Sequence, residues 1–272
     1  VTRRHAFVWF TVLAFGYAFL YLPILTLMVY SFNDSRLVTV WGGFSTRWYG
    51  ELLRNDAILS AFWLSIRIGL LNASVAVVLG TLAALTLVRF RRFRSRILFS
   101  GLILAPLIMP EVVLGLSMLL LFVTLEQWIG WPPGRGMTTI TLAHITFTTA
   151  YVTILVQSRL LYLDVHLEEA ALDLGARPWK VFLVIILPTI APSLLAGWLL
   201  GFTLSMDDLV IASFVAGPGA TTLPMIIHSS VRLGVSPQIN ALATLMVLIV
   251  TTGVVCAGWL IHRQVARAGN PP

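Results

Sequence analysis

Apolar positions along this 272-residue chain gather into six long runs separated by short polar stretches. They do not alternate as strand positions would. A helix rises about 1.5 Å per residue, so roughly 20 apolar residues cross the hydrocarbon layer of a bilayer. The runs lie near Ala6–Tyr30, Ile58–Val88, Ile97–Leu125, Thr138–Gln157, Pro188–Ser205 and Pro237–Ile261. Helix is the expected state of each, because an open strand edge in lipid leaves backbone groups unpaired. The second and third runs exceed one crossing and predict tilt or extension past the lipid. The first follows Arg3, Arg4 and His5, as a secretory signal does, but it is too long for a signal core and lacks a small-residue cleavage site. It is read as a retained span. The pattern predicts an all-α polytopic membrane protein with six transmembrane helices, forming a single transmembrane domain over residues 1–272.

Composition agrees with this. The chain is 58% apolar and only 11% charged, whereas soluble domains carry about 25% charge, so a water-soluble globule is excluded. The single cysteine, Cys256, excludes an intrachain disulfide and a multi-cysteine metal site. A net charge of +7 raises the question of nucleic acid, and the placement of the cations answers it. With six spans, both termini share a side with the loops after spans two and four. That side carries twelve cations: Arg3, Arg4, Arg89, Arg91, Arg92, Arg94, Arg96, Arg159, Arg177, Lys180, Arg263 and Arg267. The opposite loops carry five, Arg36, Arg47, Arg54, Arg135 and Arg232, and Arg67 lies inside span two. The bias puts the termini in the cytoplasm. The run RFRRFRSR at 89–96 then reads as an anchor facing anionic lipid headgroups, with no nucleic-acid partner expected. On the outer side, Phe32–Ala57 forms a sizeable loop with Trp41, Trp48 and Tyr49. These aromatics suit either an interfacial belt or a docking surface for an external partner.

The most informative stretch is LDVHLEEAALDLGARPWKVFLVIILP at 163–188, between spans four and five. Asp164 can cap a short helix whose first turns hold Glu168 and Glu169, where the helix dipole favours carboxylates. Leu167, Ala170, Ala171 and Leu174 share one face, and the two alanines keep it shallow enough for another protein to approach. Gly175 can close the helix in a left-handed cap, and Pro178 suits the first position of the next. The expected product is an elbow of two helices at the inner membrane face, about residues 164–180. On spacing alone, it could equally be an ordinary helical loop beneath the bundle.

Glu169, Ala170, Ala171, Gly175, Ile185, Leu187 and Pro188 resemble, at every position, the EAA signature of ABC importer permeases. The resemblance implies the type I (MetI-like) importer permease fold. It also implies that Glu169, Ala170, Ala171 and Gly175 belong to a coupling helix seated on a separate cytoplasmic ATPase dimer. One absence fits this division of labour. A Walker A loop needs Gly-Lys followed by Ser or Thr, and the only lysine, Lys180, lies between Trp179 and Val181. The chain itself is expected to hold no catalytic residue, cofactor or metal; ATP and magnesium would belong to the partner.

Ionisable groups inside spans cost roughly 2.5–3.5 kcal/mol each on insertion scales and line cavities or find partners. Asp207 and Asp208 end span five, roughly 30 Å along the helix from Pro188, and adjacent residues point about 100° apart. Either both are interfacial or bonded to the next helix start, or one faces a cation path while the other caps a neighbouring segment. Glu111 follows Pro106 and Pro110, which can kink the third span. Its alternatives are a place on the same path or an ion pair with Arg67. Trp63, Trp198 and Phe202 could cover an aliphatic ammonium or only pack. Gly197 and Gly201 would let another helix approach span five closely. After Asp208, Gly217, Pro218, Gly219 and Pro224 interrupt the helix, and Ser236 and Pro237 open span six.

The tract TLSMDDLVIASFVAGPGATTLPM, the later INALAT and the earlier GWPPGRGMTTITLAH look like the membrane subunits of bacterial polyamine importers, above all the second permeases of putrescine systems. That likeness implies an inner-membrane location and transport of putrescine or a related polyamine. It also implies a second homologous permease chain and a periplasmic polyamine-binding protein. Importers of other solutes (ferric ion, thiamine, an anion) share the EAA signature. Two further classes are disfavoured. An intramembrane enzyme lacks support, because His5, His144, His166, His228 and His262 show no H-E-x-x-H spacing and no G-x-S-x-G appears. A passive channel would not need a cytoplasmic elbow.

Overall fold

The computed structural model describes residues 3–37, 40–90, 93–233 and 236–268, with side chains left aside for 3–7, 233 and 253–268. Arg91 and Arg92 of the basic run, and the side chains of Arg3, Arg4, Cys256, Arg263 and Arg267, lie outside this description. The described residues are helical, with a single isolated bridge between Asn33 and Phe44. Five helices among them are long and apolar enough to cross a membrane. Chain packing separates two compact units, residues 1–59 with 227–272 and residues 60–226.

In the first unit, α1 (Arg3–Tyr30) packs against α12 (Pro237–Ala268), which also meets the short α2 (Arg47–Leu52). The loop between α1 and α2 is organised by the buried Asn33. Its amide accepts from Gly42 N at 2.8 Å and donates to Val40 O at 2.8 Å, and its carbonyl takes the Trp48 indole N–H at 2.6 Å. Tyr49 shares a 2.7 Å hydrogen bond with Ser31. Two of the three loop aromatics therefore serve the loop's own packing, while Trp41 stays exposed against the edge of Tyr30. Gln238, just inside α12, bridges Glu51 (3.1 Å) and Asn55 (3.2 Å). Ser236 caps that helix, accepting from Gln238 N at 3.3 Å and Ile239 N at 2.9 Å.

The second unit is built around α6 (Met137–Leu161), whose neighbours are α4 (Arg96–Ile108), α9 (Leu187–Asp207) and α10 (Val210–Val215). One apolar core joins Ile68 of α3 (Asp56–Arg89), Leu114 and Phe122 of α5 (Glu111–Ile129), Ile140 and Phe147 of α6, and Ile211 and Val215 of α10. A second joins Ala84 and Val88 of α3, Val156 and Leu160 of α6, and Ile186 and Ile190 at the start of the fifth span. Small residues set the spacing, as the glycine pair of span five predicts. A β-carbon at Gly201 would stand 2.7 Å from Thr148 Cγ2, and one at Gly197 3.5 Å from Val152. Beside Gly201, the fully buried Asn72 donates to Gly201 O (2.8 Å) and Thr148 Oγ1 (3.1 Å), tying α3, α6 and α9 together.

Two elements differ from the sequence reading. The third predicted span is not one kinked helix but two, because Met109 turns extended (ψ 138°) before Pro110, and α5 restarts at Glu111. A residue preceding proline is pushed out of helical geometry, and proline has no N–H to continue the ladder. At 13 residues, α4 is about 20 Å long, too short to cross alone. The fifth span, by contrast, is longer than predicted. The helix begins at Pro178 and runs 30 residues to Asp207, so the second arm of the elbow and the span are continuous. It passes Pro188 through a π-helical stretch, Phe182–Ile186, with Leu187 N bonded to Phe182 O five residues back. The wider turn accommodates a residue that cannot donate and whose ring crowds the preceding turn.

Candidate functional site

The elbow forms from local chemistry. α7 (Val165–Asp173) is capped by Asp164, whose carboxylate accepts from His166 N at 3.0 Å. It ends in a Schellman turn: Ala176 N reaches Ala171 O at 3.1 Å and Gly175 N reaches Leu172 O at 2.8 Å. Gly175 sits at φ +83°, the left-handed region predicted for it and one that β-carbons disfavour. Arg177 is extended, and Pro178 starts α8 (Pro178–Val181). No residue of α7 is buried. Leu174 is 89% exposed and Trp179 61%, and an apolar notch of about 200 Å3 opens between Ala171, Leu174, Ala176 and the Val181–Ile185 segment. Of the signature residues, Glu169 and Ala170 face outward and Ala171 lines the notch.

The two neighbouring glutamates have different fates. Among the described residues Glu169 pairs with His166 of its own helix, at 3.2 Å in an open setting. Glu168 turns to the bundle and forms an ion pair with Arg89, the last residue of α3. That pair joins residues 79 positions apart, and sequence spacing had pointed only to the helix dipole.

At the far end of α9 the adjacent aspartates also divide. Asp208 leaves the helix (ψ 120°) and its carboxylate accepts from Ile211 N (3.3 Å) and Ala212 N (2.7 Å), capping α10. The same carboxylate lies 3.0 Å from Nε2 of His144, and Nδ1 of that ring lies 2.7 Å from Ser205 Oγ. The imidazole thus bridges the carboxylate and the serine hydroxyl, one through each ring nitrogen. The His144 and Asp208 side chains are 3% and 9% exposed. Asp207 remains exposed at the end of α9.

Glu111 is exposed in the first turn of α5, where its charge complements the helix dipole. Among the described residues no ion pair joins it to Arg67, which is also exposed. The expected alternative of an intramembrane pair is therefore not realised, because each side chain points off its helix's packed face. Trp198 stacks on Phe202 (5.7 Å, 3°) and donates to Ser74 at 3.2 Å, which accounts for both rings by packing; Trp63 is exposed. Among the described residues no cluster of three His, Cys, Asp or Glu side chains could hold a metal.

Sequence reasoning missed His144 and Ser205 as a pair, and Asn72 with Thr148. One signal was available: His144 and Thr148 lie four apart on one face of an apolar helix, and polar groups at such positions in lipid find interhelical partners.

Residues 76–269 match the family described as binding-protein-dependent transport system inner membrane component. The putrescine transport system permease protein PotI of Escherichia coli strain K12 is 60% identical over 257 residues, covering 94% of this chain and 90% of that protein. The spermidine/putrescine transport system permease protein PotC of the same organism is 42% identical over 255 residues, 93% of each. Among solved structures, a chain of a bacterial ABC transporter that imports alginate aligns with a TM-score of 0.69 at 14% identity, covering 96% of both chains. A chain of the MetNI methionine ABC transporter aligns at 0.57 and 16% identity, covering 82% of this chain and 99% of that one. These last two speak to the fold alone, that of MetI-like permeases. Likeness of sequence along most of the chain and likeness of fold thus converge, and the chain belongs, as a transport permease subunit rather than an enzyme, to the family of inner membrane components of binding-protein-dependent transport systems.

Proposed function

We propose that this chain is one membrane subunit of an ATP-driven importer of putrescine or a related polyamine. Its identity to the putrescine permease, 60% over 94% of the chain, carries the substrate assignment. In this reading both termini are cytoplasmic, as the twelve-to-five distribution of cations supports. The elbow at 164–180 seats on a cytoplasmic ATPase dimer, which holds ATP and magnesium. A second permease chain completes the path, and a periplasmic polyamine-binding protein delivers the substrate.

The aspartates take distinct parts. The Asp208 carboxylate is occupied by two backbone N–H groups and His144, so its work is to hold the junction of α9 and α10. Asp207, exposed and one position earlier, is the carboxylate free to draw in an ammonium group. Glu111, exposed at the start of α5, is a second acidic point for a dication. The Glu169 side chain and the shallow Ala170–Ala171 surface face the ATPase, and the positive φ of Gly175 sets the angle between the elbow's arms.

Reconstitution with an ATPase, a second permease and a binding protein of a polyamine system tests the assignment. ATP-dependent uptake of radiolabelled putrescine, competed by spermidine, is the expected result. Uptake of a different solute, with putrescine neither transported nor competing, overturns it. Proteoliposomes holding this chain alone should pass no solute.

A further inference from the structure

Little within the chain holds α7 to the bundle. No residue of α7 is buried, so apolar packing does not fix it to the bundle. At its C-terminal end it is joined through the Gly175 turn to α8 and the π-helical stretch that leads into α9. Toward its N-terminal end, Glu168 accepts from Arg89 Nη2. The pair is shielded, with side chains 23% and 13% exposed, and the Arg89 Nε is buried without another partner among the described residues. The guanidinium is thus committed to this one carboxylate, in surroundings where charge attraction is stronger than at an open surface.

Arg89 is also rigidly mounted. It ends a 34-residue helix, α3, directly after the buried Leu87 and Val88. The Arg96 guanidinium donates to Leu87 O at 3.3 Å, a further tie on the end of α3. Farther along α3, Val88 and Ala84 pack into the core with Val156, Leu160, Ile186 and Ile190, Asn72 holds Gly201 O, and Ser65 Oγ accepts from Leu223 N at 2.8 Å. Arg89 is thus continuous with a helix anchored at several points along residues 65–88. The covalent route into α9 passes through the π-helical segment Phe182–Ile186, separate from the ion-pair route into α3.

We propose that the Arg89–Glu168 ion pair is a positioning strut that transmits movement of α7 into α3, so that the elbow drives two membrane helices rather than α9 alone. The inference rests on the reading of α7 as the surface that seats on the ATPase. Glu168, not the neighbouring signature residue Glu169, carries the load inward, while Glu169 stays free for the partner.

The test uses the assembled complex in proteoliposomes with Arg89→Gln, Glu168→Gln, Arg89→Lys and the exchange Arg89→Glu with Glu168→Arg. The readout is putrescine taken up per ATP hydrolysed, measured on the assembled fraction, so that a loss of yield does not register. The two glutamine variants should lower that ratio at least fivefold, and Arg89→Lys and the charge exchange should restore at least half of it. An unchanged ratio in both glutamine variants overturns the strut. So does an exchange variant no better than the poorer single variant, including the case in which the single variants do not assemble. In parallel, Leu174→Cys is crosslinked to the ATPase. A crosslink with an unchanged ratio removes the strut alone, and absence of any crosslink removes the reading of the elbow and the strut with it.

Discussion

His144 of α6 and Asp208 just beyond α9 share a 3.0 Å hydrogen bond across 64 residues of chain, with the His144 side chain 3% exposed and that of Asp208 9%. The same carboxylate caps α10, so one side chain closes the end of the fifth span, orients the next helix and fixes both to the central helix. A polar group in that position is tolerated because each carboxyl oxygen has a hydrogen-bond partner.

The adjacent aspartates should separate by phenotype. Asp207→Asn is expected to raise the KM for putrescine roughly ten- to hundredfold, the worth of about 1.5–3 kcal/mol for a hydrogen bond to a charged group, with normal assembly. Asp208→Asn is expected instead to lower the yield and melting temperature of the complex. Uptake kinetics set against thermal stability of the purified complex distinguish them. Equal effects on KM in the two variants would contradict the division of roles.

His144→Ala leaves Asp208 and Ser205 facing a cavity, with an expected loss of about 1–3 kcal/mol. Ser205→Ala removes a single partner of the ring and should cost less. A denaturation series that ranks Ser205→Ala as the more damaging would show that the histidine is not the hub.

Gly201→Ala places a β-carbon 2.7 Å from Thr148 Cγ2, which predicts about 1–3 kcal/mol of overpacking strain. Thr148→Ser removes that methyl and keeps the hydroxyl that accepts from Asn72. The double variant should recover most of the lost stability. Simple additivity of the two changes would argue against this contact.

At the elbow, Gly175→Ala forces a β-carbon into left-handed geometry at about 1–2 kcal/mol. Gly175→Asn should be milder, since asparagine tolerates that region. Uptake per ATP should fall in the order glycine, asparagine, alanine while the ATPase still copurifies.

Orientation is open to chemical labelling in a Cys256→Ser background. A membrane-impermeant maleimide should reach Leu174→Cys only in inverted vesicles and Phe44→Cys only in intact, outer-permeabilised cells. The reverse pattern would place the elbow outside.

Much of this protein is written in one dimension. Helical crossings follow from lipid, which satisfies no backbone group, and the order of spans follows from the lengths of the apolar runs. The elbow is equally local: Asp164, Gly175 and Pro178 act on their own backbone within a turn, so their roles are legible from residue type and position. The break at Met109–Pro110 was only half legible, because proline announces a disturbance without saying whether neighbouring packing will restore the helix or let it end. What the chain pattern could not decide is which of two adjacent acids is free. Glu168 against Glu169, and Asp208 against Asp207, differ by the partner each meets, Arg89 in one case and His144 in the other. Periodicity gives a side chain's direction about its own axis. The donor waiting there comes from a helix 64 or 79 residues earlier, and only the packed bundle brings it within reach.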